Sequence, residues 1–600
     1  MLTAMYQLGK YVKSESGLLS IIENPNQNNN YKHVIKILFK EENNKVFFSK
    51  VDYEEFSSDR LLRYAYKSGS ARGGDVTPTS KRTETSKTIA KLITSLRTIL
   101  LNSKLKKDSE YTLLNDIYIE IENNTKQIII DIDELIKSIK FGKKESAIFT
   151  ICLLKNDIEL YVGDFNIIKN HLFKINDEQY FIKYNKKSKG NGICYFCNDE
   201  KEVLGFVNTF NSYTVDKVGF VSGGFKQEMS WKNYPVCSEC AHILDRSKKY
   251  LNENFTSRFS TFTYTIIPKV SFSDDDTEII LEIMDMFDKE KFSTKVSISD
   301  NLLGSEKDYI EIMADSKNYM NYNIFIFEEI QSAFRILLYI EDIIPSKLKN
   351  ILRVKKEIDK ISFFHDIKGK EGNYDMKFSF NIIRAFFPNK KIEGNFDKYF
   401  LEILNNVFTQ RPISYEFLLN QVVMIIRKKF INNEYIDTTV LKAYMMIEFI
   451  NKLDIFNNKR SGRTSILIEK TEQNKRYIDF LDKHKSRFDD DYKRAIFLEG
   501  VLVDKLLSIQ YSKNKSKPFY GRLNGLKLDE KLIKRVFTES INKLNEYDEN
   551  YYKALEELIG YYMLSSCSLS NNEISYYFVL GMTLGKSFSK NKNGKIKEDD

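Results

Sequence analysis

Two pairs of cysteines constrain the fold of this chain more than any other feature of its sequence. Cys194 and Cys197 form one C-x-x-C pair, Cys237 and Cys240 form a second, and 39 residues separate them. Each pair supplies two corners of a tetrahedron, and four thiolates close a structural Zn²⁺ site that has no open position for water. The spacing therefore predicts a zinc ribbon with an insertion between its two knuckles, in which metal binding contributes to folding.

Length and composition set the class of protein. A chain of 600 residues is too long for one hydrophobic core and predicts about three or four domains. Because 42% of the residues are hydrophobic and 29% are charged, a disordered or collagen-like chain is excluded. Six cysteines in this length do not make a disulfide scaffold. The N-terminus lacks the pattern of a signal peptide and no apolar run reaches about 18 residues, so we expect a cytoplasmic protein.

Hydrophobic periodicity predicts a multi-domain α+β protein. The N-terminal region shows strand-like runs, among them IYIEI and QIIIDI, and an amphipathic helix begins near Thr85. After about residue 410 the pattern is helical only, and Ser570 and Glu573 have the spacing of a capping box at the last helix. The predicted parts are an α+β domain with many strands (1–185), a zinc-ribbon insertion with flanking strands (186–275), a mixed middle (276–410), an all-α C-terminal helical bundle (411–588) and a disordered tail (589–600).

The basic residues indicate candidate surfaces for nucleic acid. The net charge is +9, and from Met424 onward 32 lysines and arginines stand against 25 acidic residues. Glycines let backbone N–H groups approach phosphate, and cations beside them add attraction. Plain solvation of these side chains remains the alternative. The candidate contacts are Arg72, Lys81, Arg82, Lys87 and Lys91 near the glycine-rich loop, and Arg460, Arg463, Lys513, Lys515 and Lys517 in the C-terminal region.

Two short motifs raise the question of catalysis. Gly73-Gly74-Asp75 is similar to the tip of nucleotide cyclase and polymerase palms, and His365-Asp366 to the HD dipeptide of metal phosphohydrolases. Neither motif has the flanking residues that its chemistry requires, and no phosphate-binding loop or nucleophile elbow is present. We therefore expect no enzymatic activity. A stand-alone zinc-containing enzyme that processes nucleic acids or nucleotides is the alternative, and a scaffold that binds only proteins is a third reading.

Four blocks in a fixed order carry a resemblance to a known family. They are GSARGGDVTPTSK, the CYFC and CSEC knuckles, FLEGVLVDKLLSIQ followed by PFYGRLNGLKL, and EISYYFVLGMTLG. In this order the chain resembles the large subunit of subtype I-B CRISPR effector complexes, called Cascade. The resemblance implies a non-catalytic subunit that contributes to recognition of the short motif beside the target (the PAM), to target-strand opening and to recruitment of a helicase–nuclease in antiviral defence. It implies CRISPR RNA, target DNA and other effector subunits as partners.

The resemblance also implies a second product of the same gene. In this family the C-terminal helical region can be made separately, as a small subunit, from an internal start. Met424, Met445 and Met446 lie where such a product would begin. The change to a purely helical pattern near residue 410 and the basic excess of the C-terminal region favour this hypothesis.

Overall fold

The described residues of this chain divide into two compact units. The structure is a computed structural model, and it describes residues 1–12, 17–43, 45–69, 74–103, 108–139, 141–142, 144–183, 185–209, 215, 219, 221, 224–259, 262–270, 320–330, 333–368, 372–390, 394–457, 464 and 466–588. The first unit comprises Met1–Phe255 and the short segment Ile330–Phe334, and the second comprises the other described residues. The five-part domain division from the sequence stays a prediction, and its C-terminal tail lies outside the described residues.

The first unit contains a five-stranded sheet and the paired cysteines. Its helices are α1 (Leu2–Tyr11), α2 (Leu61–Tyr64), α3 (Thr85–Asn102), α4 (Ser109–Ile139), α5 (Asn166–Glu178) and α6 (Ser238–Asn254). Its strands are β1 (Tyr31–Glu42), β2 (Lys45–Glu55), β3 (Thr79–Lys81), β4 (Ser146–Lys155), β5 (Ile158–Tyr161), β6 (Ile182–Lys183), β7 (Lys186–Lys187), β8 (Lys189–Ile193) and β9 (Glu200–Leu204).

Alternation along β1 explains how the sheet of the first unit forms a core. The strand order is β2–β1–β4–β3, with β5 paired to β4, and β1 runs parallel to β4. A parallel pair needs a long crossover, and α3 and α4 lie in the segment that joins these two strands. Ile35, Ile37 and Phe39 belong to the core that includes α3 and α4, whereas Val34 and Leu38 belong to a smaller cluster. The residues thus alternate between faces with the period of two that a strand requires.

One secondary-structure prediction for this region is wrong. The runs IYIEI and QIIIDI are not strands, because both lie within the 31-residue helix α4. Their buried positions include Ile117, Ile121, Ile128 and Ile132, which share one face of a helix. Runs of β-branched residues favour strands locally, but packing of this one face into the core decides the structure. The region is therefore mixed rather than dominated by strands.

The second unit combines an antiparallel sheet with many helices. Its sheet has the order β10–β11–β12–β13, and the residues where β12 ends and β13 begins are grouped with the first unit. The strands are β10 (Thr256–Phe259), β11 (Phe262–Val270), β12 (Met320–Ile330), β13 (Ala333–Ile343) and the short pieces β14 (Ile367–Lys368), β15 (Asn373–Tyr374), β16 (Asn389–Lys390), β17 (Gly394–Asn395), β18 (Ile413–Ser414) and β19 (Phe456–Asn457). The helices are α7 (Pro345–Asp359), α8 (Phe380–Arg384), α9 (Asp397–Thr409), α10 (Tyr415–Ile431), α11 (Asp437–Lys452), α12 (Lys475–Lys483), α13 (Asp491–Asn514), α14 (Glu530–Glu546), α15 (Lys553–Tyr562) and α16 (Asn571–Leu584).

The C-terminal region is mostly helical, as expected, and the predicted capping box is present. Ser570 accepts a hydrogen bond from the Glu573 backbone N–H, and the Glu573 side chain accepts one from the Ser570 backbone N–H. The prediction of an all-α region needs one correction, because β18 and β19 pair in parallel beside the helices. The described residues form a mixed α+β structure with 54% helix, several small sheets and a mostly helical C-terminal region.

Candidate metal centre and basic surfaces

The four paired cysteines lie together in the first unit. The first pair occupies the turn between β8 and β9, and the second pair lies where α6 begins. All four Sγ atoms lie within 4.8 Å of one another, and the Sγ atoms of Cys197 and Cys237 are 3.9 Å apart. A Zn–S bond of about 2.3 Å with tetrahedral angles places sulfur atoms about 3.8 Å apart. The cluster therefore has the donor set and the dimensions of a closed four-thiolate site.

Backbone hydrogen bonds hold the two knuckles against each other. The Tyr195 N–H donates to the Pro235 carbonyl at 2.8 Å, and the Leu204 N–H donates to the Val236 carbonyl at 2.9 Å. These bonds cross from the first knuckle to the residues that lead into α6. The predicted insertion therefore leaves the β8–β9 hairpin and returns beside it, so cysteines far apart in sequence meet.

The surroundings of Cys194, Cys237 and Cys240 shift the pKa values of these three thiols in different directions. Burial opposes ionisation of Cys194, but backbone N–H groups of Cys197, Cys237 and Phe196 lower its pKa to about 7. Burial raises the pKa values of the Cys237 and Cys240 thiols. A thiol must lose its proton to ligate a metal, so the charge of a divalent cation is what would offset burial at these two positions. The residues present fit Zn²⁺.

Charged side chains link the outer sides of the two knuckles. Lys201 Nζ lies 3.0 Å from a carboxylate oxygen of Asp199 and 3.2 Å from one of Glu239. Asp199 follows the first pair of cysteines, and Glu239 lies within the second. His242, two residues after Cys240, is paired with Asp177 at 3.1 Å and packs edge-on against Tyr180, so its ring contacts neighbours other than the thiols.

Four of the five N-terminal candidate cations fall on described residues, and three of them already have partners. Arg72 lies outside the described residues. The Lys81 ammonium lies 5.0 Å from the ring centre of Tyr31 and 5.3 Å from that of Tyr66. The Arg82 guanidinium lies 5.6 Å from the ring centre of Phe141.

The two candidates on α3 differ in their surroundings. Lys87 is exposed and pairs with Glu84 at 2.7 Å. Lys91 is half-buried on the same helix, and its backbone carbonyl oxygen lies 3.9 Å from where a Cβ on Gly74 would stand. This end of the glycine-rich loop therefore lies beside α3.

Three of the five C-terminal candidates are described, and they lie at or just after the end of α13. Arg460 and Arg463 lie outside the described residues. Lys513 donates to the Tyr547 carbonyl at 2.7 Å, so it joins α13 to the end of α14. Lys515 and Lys517 are exposed, and each ammonium lies near the ring of Tyr511, at 5.9 and 6.0 Å from its centre.

Tyr511 is a residue that the sequence reasoning missed. Tyr511 is 55% exposed, and the ammonium groups of Lys515 and Lys517 both lie near its ring. Exposed aromatic rings with flanking cations are typical of surfaces that bind single-stranded nucleic acid, because every base has a face that can stack. The run YSKNKSKP contains this pattern, with a tyrosine just ahead of three alternating lysines. We name Tyr511, Lys515 and Lys517 the C-terminal basic cluster.

The two motifs of the enzymatic alternative have structural partners. His365 Nδ1 lies 3.1 Å from a carboxylate oxygen of Asp375. Gly73 lies outside the described residues, and Asp75 is placed beside the buried hydroxyl of Tyr66. Within the described residues, the four cysteines are the only place where three or more metal-binding side chains come together.

Comparison with known proteins and protein families shows which family the chain belongs to. Of the helices that the structure describes, none is both long and apolar enough to cross a membrane. A search of curated proteins found no match. Three domain models of CRISPR-associated protein TM1802 match in order along the chain, the N-terminal domain over residues 1–174, the central domain over 191–343 and the C-terminal domain over 378–595. The chain therefore belongs to the CRISPR-associated protein TM1802 family, which confirms its resemblance to CRISPR-associated large subunits.

Proposed function

We propose that this chain is the non-catalytic large subunit of a CRISPR RNA-guided DNA surveillance complex of subtype I-B, working in the cytoplasm. The observation that carries the proposal is the match of three successive family domains along the chain. In such a complex, base pairing with the guide reads the target sequence, and protein contacts read duplex shape, the PAM and the displaced strand. The proposed contributions are PAM recognition, target-strand opening and recruitment of the helicase–nuclease.

The metal centre suits a structural role in this proposal. A four-thiolate site is closed, so a bound Zn²⁺ would hold the hairpin and α6 together without activating water. Cys194, Cys237 and Cys240 are almost fully buried, with exposures of 0%, 2% and 2%. This burial supports a fixed element of the fold rather than a site that meets substrate.

The basic surfaces suit contacts to a nucleic-acid backbone. The C-terminal basic cluster combines two exposed cations with an exposed ring, which favours a flexible single strand over a stacked duplex. Lys81 and Arg82 are half-buried against aromatic rings, so we expect them to position backbone elements near the glycine-rich loop. Lys87, whose side chain is 71% exposed, is the N-terminal candidate best placed to reach a phosphate.

An affinity pull-down from the native host tests the proposal. Bound RNA would be sequenced, and bound proteins would be identified by mass spectrometry. We expect short uniform RNAs that carry repeat-derived 5′ tags, together with a few stoichiometric partner proteins. Recovery of the chain alone, at low salt as well as high salt, would contradict the proposal. Turnover of labelled DNA, RNA or nucleotides that Asp75→Ala or Asp366→Ala abolishes would favour the enzymatic alternative.

A further inference from the structure

The N-terminal helix packs directly on the helix that carries the second pair of cysteines. Gly9 of α1 lies against α6 so closely that a Cβ at this position would stand 2.4 Å from the backbone oxygen of Ile243. Real Cβ atoms do not approach this closely, so a residue without a side chain is what lets the two helices meet here. The contact is between backbones and leaves little room for α1 to shift.

The same helix places a tyrosine on the metal centre. The Tyr6 hydroxyl oxygen lies 3.6 Å from Cys240 Sγ, and Tyr6 as a whole is 9% exposed. Its ring stacks on Phe196, between the cysteines of the first knuckle, with centroids 4.7 Å apart and planes inclined by 26°. One residue of α1 therefore contacts both knuckles, the first through its ring and the second through its hydroxyl.

The chemistry of a thiolate site gives this hydroxyl a role. Sulfur atoms bound to a metal keep negative charge and accept hydrogen bonds, and donors around them fix ligand orientation and raise metal affinity. The Cys237 N–H already donates to Cys194 Sγ at 3.3 Å. A Cys240 thiolate, buried at 2% exposure, would receive its donor from Tyr6. Tyr195, which lies between the cysteines of the first knuckle, packs its ring against Phe196 and Tyr234.

We propose that Tyr6 is a positioning residue of the metal centre, donating its O–H to the Cys240 thiolate, and that this bond couples metal retention to docking of α1. The cation is a divalent, thiophilic metal, with Zn²⁺ as the expected occupant. Coupling between two binding events is reciprocal. Metal loss should therefore loosen α1, and a change that undocks α1 should speed metal loss. The inference concerns the metal centre alone and does not depend on the proposed role in DNA surveillance.

The first test removes the hydroxyl and keeps the ring. Full-length Tyr6→Phe is loaded with Zn²⁺ and titrated with a chromogenic chelator of known affinity, so that competition at equilibrium gives the metal affinity. We expect metal affinity to fall by about 10–100-fold, the range for partners of metal ligands. Tyr195→Phe is the matched control, since it removes a tyrosine hydroxyl from the first knuckle and should behave like the unchanged protein. Equal metal affinity in Tyr6→Phe and Tyr195→Phe would overturn the role of Tyr6.

A spectroscopic measurement distinguishes a hydrogen bond to the thiolate from packing of the Tyr6 ring alone. Co²⁺ replaces Zn²⁺, and the thiolate-to-cobalt charge-transfer band is recorded. Loss of a donor to one sulfur should shift this band in Tyr6→Phe and leave it unchanged in Tyr195→Phe. An unshifted band in Tyr6→Phe would show that the hydroxyl does not bond to the coordinated thiolate.

The second test follows the coupling to the N-terminal helix. Hydrogen exchange of residues 2–11 is measured in the metal-loaded protein and after chelation. We expect chelation to increase exchange in α1, and Gly9→Ala to speed metal transfer because its Cβ would clash with Ile243. Unchanged exchange of α1 after chelation, while β8 and β9 lose protection, would overturn the coupling. This measurement on the unchanged protein decides the matter even if Gly9→Ala fails to fold.

Discussion

Gly500 of α13 and Gly581 of α16 face each other where these two helices cross. A Cβ on Gly500 would lie 2.0 Å from the Phe578 carbonyl oxygen, and one on Gly581 would lie 1.9 Å from the Phe497 carbonyl oxygen. Both distances are far shorter than van der Waals contact with backbone atoms that cannot move aside. The two glycines therefore set how closely the central helices of the C-terminal bundle approach.

A methyl group at this crossing should separate the helices. Replacing Gly581 by Ala adds helix propensity, worth up to about 1 kcal/mol, but overpacking a tight core costs about 1–3 kcal/mol or more. Backbone atoms cannot yield as side chains do, so we expect a net loss of about 2 kcal/mol in the free energy of unfolding. Gly560→Ala in α15 is the control, because a Cβ there has no atom within 4 Å. Denaturant unfolding that ranks Gly581→Ala as stable as Gly560→Ala would contradict the prediction.

The metal centre should bind one Zn²⁺ per chain and support the first unit. Cys197→Ser or Cys240→Ser removes a thiolate, and we expect the purified variants to lose the metal and to unfold at a lower temperature. Cys567→Ser is the control, since Cys567 belongs to the second unit and is not one of the four clustered cysteines. Elemental analysis and thermal unfolding measure both effects. If purified Cys240→Ser retained one Zn²⁺ per chain, the prediction would be wrong.

Glu499 in α13 carries a buried carboxyl group that forms no hydrogen bond with any described residue. Its exposure is 0%, and neither side-chain oxygen has a hydrogen-bond partner in the described part of the chain. Burial raises its pKa well above the usual 4.5. The folded protein thus keeps a proton on Glu499 that the unfolded chain releases. The contribution of this group to the free energy of unfolding is therefore fully present below pH 4.5, and it is lost as the pH rises through the folded-state pKa.

Replacing this carboxyl by a hydrocarbon should therefore help most at higher pH. We expect Glu499→Leu to raise the free energy of unfolding by about 1–3 kcal/mol near neutral pH, because an unpaired buried polar group is removed. The difference in free energy of unfolding between Glu499→Leu and the unchanged protein should grow from about pH 5 to about pH 8, by at most about 1.4 kcal/mol per pH unit. Glu557→Leu on the exposed side of α15 is the control. A gain that shrinks as the pH rises would contradict the direction of the pKa shift.

The C-terminal basic cluster should contribute to binding of single-stranded nucleic acid. Lys515→Ala and Lys517→Ala should each weaken binding and lower the salt slope by about 0.7, the value for one phosphate contact on a single strand. Tyr511→Ala should cost about 1–3 kcal/mol of binding free energy through lost stacking. Lys513 is bonded to the Tyr547 carbonyl, so Lys513→Ala should change stability more than the salt slope. Fluorescence titrations at several salt concentrations would show equal slopes in all variants if the cluster makes no contact.

An internal start would cut the C-terminal bundle at a definite place. Met424 lies within α10 and is 49% exposed, whereas Met445 and Met446 are fully buried within α11. A product that begins at Met445 or Met446 loses α10 and its buried face, so we expect Met424 to be the start if a small subunit is made. Intact-mass analysis of the purified complex should then show a fragment of about 21 kDa, the mass of residues 424–600 at the chain's average residue mass. Met424→Leu should remove it, and its persistence would contradict this choice of start.

Local patterns predicted much of this protein correctly. The amphipathic helix α3 and the helical C-terminal region follow from residue spacing, since the period of apolar side chains is a property of neighbours in sequence. The capping box at Ser570 and Glu573 is likewise a short-range bond. The four cysteines could be assigned to one metal because ligand chemistry demands paired thiolates.

Long-range packing decided the rest. Helix α4 forms although its isoleucine runs favour strands, because one face at positions Ile117, Ile121, Ile128 and Ile132 enters the core. The position of Lys81 between two tyrosine rings also depends on strands that meet only in the folded chain.

The sequence by itself determined the residue types of the metal centre, the helical character of the C-terminal region and the family. Only the tertiary structure decided that Tyr6 meets Cys240 across 234 positions of sequence, and that Gly500 meets Gly581. The physical reason is that spacing encodes which face of an element is apolar, whereas the partner of that face is selected by the shape and packing of the whole core.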